Sequence, residues 1–193
     1  VTIGLSIGGA LGLFAGYFGT WADRLIMGVM TVLLCFPGII LAIALVASLG
    51  PSVTNVTLAI GVIFIPAFSR IARANTLSLR SREFVLAAQS LGARLPRILT
   101  REILPNLIPA LLSYAVVMLG VAILAEAALG FLGLSVRPPQ PSWGGMIATE
   151  RANMVEAPHA VFVPSAVMFL TVLSINWIGE SVRRLFDIRA QSL

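Results

Sequence analysis

The sequence predicts an all-α membrane protein, and three observations carry that prediction. Hydrophobic residues fill 58% of the 193 positions and charged residues only 11%, whereas a soluble domain normally carries about 25% charge. The apolar residues gather into five long runs, most of them near the roughly 20 residues that a helix needs to cross the hydrocarbon. The net charge of +5 comes from arginine alone, since the chain has no lysine, and the arginines lie between apolar runs. That placement points to membrane orientation and away from nucleic-acid binding.

The runs can be taken in order. Residues 1–18 carry no charge and are rich in glycine, which predicts close packing on a neighbouring helix. Residues 25–49 are also uncharged, and Pro37 after Phe36 predicts a kink. The third run, 53–69, is shorter and has Pro66 near its end. Residues 107–134 hold one acid, Glu126, and the last run, 160–179, ends close to Asn176. Cys35 lies in an apolar run and cannot form an intrachain disulfide; a small core residue is the expectation.

If the five runs alternate, eleven of the thirteen arginines fall on one side. These are Arg24, then Arg70, Arg73, Arg80, Arg82, Arg94, Arg97 and Arg101, and in the tail Arg183, Arg184 and Arg189. Only Arg137 and Arg151 fall on the other. The positive-inside rule places the rich side, with the C-terminus, in the cytoplasm. Val1 is then external and starts inside an apolar stretch without a basic n-region, unlike a signal peptide. The expectation is a single transmembrane domain over 1–193, made of spans two to six of a six-span protein, with 70–105 as a cytoplasmic loop.

That loop carries the most information. Phe84, Ala87, Ala88 and Leu91 recur at i, i+3, i+4 and i+7, one apolar stripe of a short helix. Ser81 is positioned to cap its start and Gly92 to end it. Pro96 suits the first turn of a second short helix, which Pro105 is expected to close. Periodicity alone leaves two readings: a helix lying on lipid headgroups, or a docking surface whose small Ala87 and Ala88 admit close approach by another protein.

Leu86-Ala87-Ala88, Gly92 and Leu104-Pro105 resemble the EAA loop of bacterial ABC-importer permeases, in which EAA is followed by three residues, Gly, nine residues and I-x-L-P. Leu86 stands where that family has Glu, and Glu102 where it has Ile; Glu83 offers an acid in place of Leu86. The segments AGYFGTWADRLIM, FPGIILAIALVASLGP, LAEAALGFLGL and PPQPSWGGMI are similar to the dipeptide/oligopeptide/nickel subfamily of these permeases across the whole chain. The resemblance implies a six-span permease that forms the pathway with a second homologous permease subunit. It also implies cytoplasmic ABC ATPase subunits below and an extracytoplasmic substrate-binding protein above. Coupling to the ATPase is then assigned to Glu83, Ala87, Ala88, Gly92, Leu104 and Pro105, with Arg82 and Arg94 at the rim. No cofactor is implied.

Other chemistry is poorly provided for. No G-x-x-x-x-G-K-[ST] loop exists, so ATP hydrolysis must come from another polypeptide. One histidine, His159, and one cysteine make no metal cluster, and no nucleophile–base pair is visible. Glu126, deep in an apolar run, is a candidate pathway or gate residue or a polar pin between helices. Asn176 is expected to make an interhelix hydrogen bond, and Trp143 to anchor the outer interface. Peptide is the expected cargo, with nickel or glutathione as alternatives. A secondary transporter would show inverted repeats and paired midplane charges, and neither is evident.

Overall fold

The computed structural model describes residues 1–136 and 139–191, with side chains described as far as Ser181. Arg137 and the side chains of Arg183, Arg184 and Arg189, which entered the topology argument, lie outside the described residues. All the described elements are helical: α1 (Gly4–Phe18), α2 (Thr20–Cys35), α3 (Gly38–Leu49), α4 (Val53–Leu79), α5 (Glu83–Ser90), α6 (Leu95–Phe131), α7 (Trp143–Glu150) and α8 (Pro158–Gln191). By length and composition α4, α6 and α8 to Ser181 can each cross a membrane, and α2 with α3 adds a fourth crossing if that broken pair acts as one. The α1 helix is apolar but shorter.

The chain forms two compact units. The first comprises Val1–Phe36 and Val62–Ala115. Its seam is a glycine stripe on α1, where Gly4, Gly8, Gly12 and Gly16 share one face at four-residue spacing. A Cβ placed on Gly8 would stand 2.4 Å from the Ile65 carbonyl oxygen, on Gly12 2.2 Å from that of Ser69, and on Gly16 2.8 Å from that of Arg73. The two backbones therefore meet with no room for a methyl group, as glycine-rich spacing allows. Phe68 of α4 is buried and stacks edge-on against Tyr114 of α6, ring centroids 5.2 Å apart. Arg73 of α4 holds Asp23 of α2 with two hydrogen bonds, Nε to Oδ1 and Nη2 to Oδ2, the latter 2.6 Å. Because this pair is partly exposed, Asp23→Asn is expected to cost only about 1 kcal/mol. The readout is a lower thermal midpoint in detergent, and an unchanged midpoint would deny the pair a stabilising role.

The second unit comprises Pro37–Gly61 and Val116–Leu193. Asn55 closes the α3–α4 turn by donating from Nδ2 to the carbonyls of Leu49 and Gly50, both at 2.9 Å. Helix α7 lies on α6 so tightly that a Cβ on Gly144 would stand 2.0 Å from the Ala127 carbonyl oxygen. Asn176 lies against Gly120 of α6, but its amide donates to Val172 of its own helix at 2.8 Å. The expected interhelix hydrogen bond is replaced by packing, because Gly120 has no side chain to pair with.

Several boundaries differ from those read in the sequence. Between α2 and α3 the predicted kink is a full break, with Phe36 (ψ 131°) and Pro37 (ψ 122°) both out of helical conformation. Helix α4 runs ten residues past its apolar run to Leu79, a stretch on which Arg70 and Arg73 find partners on α2. Helix α6 begins at Leu95 and continues through Pro105. The proline follows a π-helical stretch, Ile98–Ile103, whose wider turn accommodates its ring, and Asn106 donates from its side chain to the Glu102 carbonyl at 2.7 Å. Pro105 therefore closes no helix. Pro66, Pro109 and Pro164 also lie inside long helices. Cys35 is exposed rather than in the core, on a helix whose Val29, Val32 and Leu34 are exposed too.

Candidate functional site

Between α4 and α6 the chain presents α5. Arg82 is its N-cap residue in extended conformation, with no side-chain cap. Ser81 does not cap the helix, because its hydroxyl donates to the Ser78 carbonyl at 3.0 Å. Glu83 stands in the first turn, where a carboxylate is favoured by the helix dipole. At the other end Gly92 has φ +76°. The amide of Gly92 donates to Gln89 at 2.9 Å and that of Ala93 to Ala88 at 3.0 Å, the paired bonds of a Schellman stop. The left-handed role expected of Gly92 is the one it plays.

Helix α5 packs on the π-helical stretch of α6 through a single buried residue, Val85, with Ile98, Leu99 and Ile103 also buried. Its predicted apolar stripe faces away from the core. Phe84, Ala87, Ala88 and Leu91 line an open groove of ≈740 Å³ with Gly92, Ala93, Arg94, Arg97 and Glu102, and Leu91 is 88% exposed. The structure thus brings together Ala87, Ala88, Gly92 and Arg94 and adds Glu102 to them. Arg82 and Glu83 are exposed at the start of α5 and do not line that groove. Leu104 is half-buried and Pro105 exposed, just beyond Glu102 on α6. An apolar strip between two arginines and an acid is suited to binding a protein surface.

Sequence reading missed the ties from this segment to α1. Arg80 donates from Nη1 to the carbonyls of Gly16 (3.2 Å) and Tyr17 (3.1 Å), placing a cation on the C-terminus of α1 where the helix dipole favours it. Gln89 of α5 reaches the Tyr17 hydroxyl at 3.4 Å. The turn that follows holds Gly19 at φ +62° and Thr20 at φ +50°, a strained conformation for a β-branched residue. One signal was available for the neighbouring pair: Asp23 is the only acid before Glu83, so a partner for it could have been sought.

Glu126 belongs to the second unit. The Ser135 hydroxyl donates to its Oε1 at 2.5 Å, and Glu126 shares a cleft with Val136, Pro141, Ser142, Trp143 and Met146. Trp143 opens α7, whose N-cap Ser142 accepts from the Gly145 amide at 3.1 Å. Arg151 lies over the Phe131 ring, 5.4 Å from its centroid.

Long apolar helices with a short amphipathic helix set between two of them define a polytopic α-helical membrane protein. The chain belongs to the family described as binding-protein-dependent transport system inner membrane components, whose model matches residues 8–192, and it is accordingly a multi-pass inner-membrane protein. It is 44% identical over 192 residues to the glutathione transport system permease protein GsiD of Pectobacterium atrosepticum, covering 100% of this chain and 64% of that protein. It is 46% identical over 187 residues to the protein of the same name from Escherichia coli O157:H7, covering 97% and 62%. The dipeptide transport system permease protein DppC of Alkalihalophilus pseudofirmus is 43% identical over 192 residues, covering 100% and 63%. The chain thus spans somewhat less than two thirds of the length of these relatives. A chain from the inward-facing structures of the MetNI methionine ABC transporter shares the fold, with TM-score 0.67 at 17% identity over 95% of this chain and 88% of that one. The family expected from Ala87-Ala88, Gly92 and Leu104-Pro105 is the one found.

Proposed function

We propose that this chain is the permease subunit of a bacterial ABC importer that carries peptides and is coupled to a separate ATPase. The observation that carries the reading is the outward apolar groove of α5, held between α4 and α6 and bordered by Ala87, Ala88, Gly92 and Arg94. A rigid short helix joined to two spans moves both when its socket moves. The coupling can be no larger than the difference in contact between ATPase states. Glu83 and Arg82 meet the same partner from the exposed start of α5, and Leu104 and Pro105 set the start of the following span. The partners are cytoplasmic ABC ATPase subunits, a second homologous permease subunit and an extracytoplasmic binding protein, with the C-terminus in the cytoplasm. Glu126 contributes to the pathway or its outer gate. Glutathione is the second cargo reading, favoured by the names of two of the relatives above. Copurification with an ATPase, and uptake that follows ATP instead of a proton or sodium gradient, is the expected result. Gradient-driven uptake without an ATPase would overturn the proposal.

Within this reading Arg80 is a positioning residue that ties α5 to the end of α1. Arg80→Gln is expected to leave assembly and ATP hydrolysis in place while reducing the uptake obtained per ATP, and Arg80→Lys is expected to restore much of it. Equal uptake per ATP in Arg80→Gln and the unaltered protein would remove the role.

A further inference from the structure

Three arginines on or just past α4 point at α1 and α2, and two are committed. Arg73 is paired with Asp23, and Arg80 caps α1. Arg70 differs. It is exposed, its Nη2 reaches only the Thr31 hydroxyl, at 3.4 Å, and among the described residues no carboxylate pairs with it. Arg70, Arg73, Thr31 and Met27 line an open cleft of ≈370 Å³ between α2 and α4.

The depth of this cleft matters. Arg70 follows directly on the apolar run 53–69, and helical side chains incline toward the N-terminus of their helix, here back toward that run. Thr31, which it meets, lies eleven residues into α2, about 16 Å along the helix. A guanidinium beside an apolar run is costly to leave bare, and such groups face a water-filled cavity or an opposite charge. The cleft offers the planar fork of N–H donors of Arg70 and the Thr31 hydroxyl, a donor set that suits an oxyanion. Its one carboxylate neighbour, Asp23, is already engaged by Arg73.

We propose that Arg70 and Thr31, beside the paired Arg73, form an oxyanion site on the translocation pathway that takes a carboxylate of the transported solute. The proposal rests on the permease reading and deepens it. A peptide or glutathione carries such a carboxylate, whereas a metal cation would be repelled. A lipid phosphate shares the chemistry, so the test separates the two sources.

The test uses the full importer in nanodiscs, with Cys35→Ser and Thr31→Cys in this chain. Two membrane-impermeant thiol reagents serve as probes, the anionic 2-sulfonatoethyl and the cationic 2-(trimethylammonio)ethyl methanethiosulfonates. Both are expected to label Cys-substituted Thr31. The anionic-to-cationic rate ratio should stand about tenfold above that of a free thiol in solution, from the nearby positive charge. Arg70→Gln should return the ratio to the free-thiol value, and Arg70→Lys should keep it raised. Replacing phosphatidylcholine by phosphatidylglycerol should leave labelling unchanged. No labelling by either reagent, or a ratio indifferent to Arg70→Gln, would overturn the site. Suppression by phosphatidylglycerol would assign it to lipid and overturn the pathway role. Labelling requires no transport, so loss of the permease reading would show separately, as absence of ATP-driven uptake by the unaltered importer.

Discussion

Ala87→Arg is expected to insert in the membrane at normal levels and yet to abolish ATP-dependent uptake. Ala87 is exposed on α5 and lines the groove beside Phe84 and Leu91, so an arginine there touches no core. It would stand where a partner must approach the helix closely. Obstructing a central contact of this kind costs about 2 kcal/mol or more, at least about thirtyfold in docking affinity. Gly92→Pro tests the same element from the backbone. Proline is fixed near φ −65° and cannot adopt the +76° found at Gly92, so the turn leaving α5 is rebuilt and its stripe re-aimed. The measurements are membrane content, copurified ATPase and uptake. Normal uptake by both variants would sink the assignment of α5 as the coupling element.

Gly12→Ala is expected to be the most damaging single-methyl change in the first unit. Its Cβ would stand 2.2 Å from the Ser69 carbonyl oxygen and 2.6 Å from the Ala72 Cβ. Both neighbours belong to α4 and neither can rotate away. The two helices must separate along the seam, and overpacking of this kind costs about 1–3 kcal/mol or more. Gly28→Ala is the control. Nothing lies within 4 Å of the Cβ position at Gly28, and alanine is the better helix former by about 1 kcal/mol. The thermal midpoint in detergent should fall sharply for the first variant and hold or rise for the second. Equal midpoints would mean that α1 and α4 do not meet through glycine.

Much of this architecture could be read before any coordinates. The long apolar runs, the close packing of the first one and the stop at Gly92 all follow from local chemistry, in which spacing or a single residue type decides the outcome. The length of α4 was hidden by the assumption that charge ends a membrane helix. Arg70, Arg73 and Arg80 were weighed only as markers of sidedness. Their partners, Thr31, Asp23 and the end of α1, lie 39 to 64 residues away, and no local pattern announces them. Pro105 misled for a related reason, because a π-helical turn before it removes the clash that would normally stop the chain. At the candidate site the apolar stripe was legible. The presence of Glu102 in the same groove was not, since it depends on how α6 folds back against α5.

The prolines of the first unit lie at matched distances from α5. Pro66 lies thirteen residues before the end of α4 at Leu79, and Pro109 fourteen residues after the start of α6 at Leu95. Each lacks the N–H that would bond to the carbonyl one turn back, so each marks a missing rung in its helix. Two arms of about 20 Å therefore extend from α5 to matched weak points. The arms are not alike in build: the one along α4 is plain α-helix from Pro66 to Leu79, whereas the one along α6 carries the π-helical turn Ile98–Ile103 and Pro105 before it reaches Pro109.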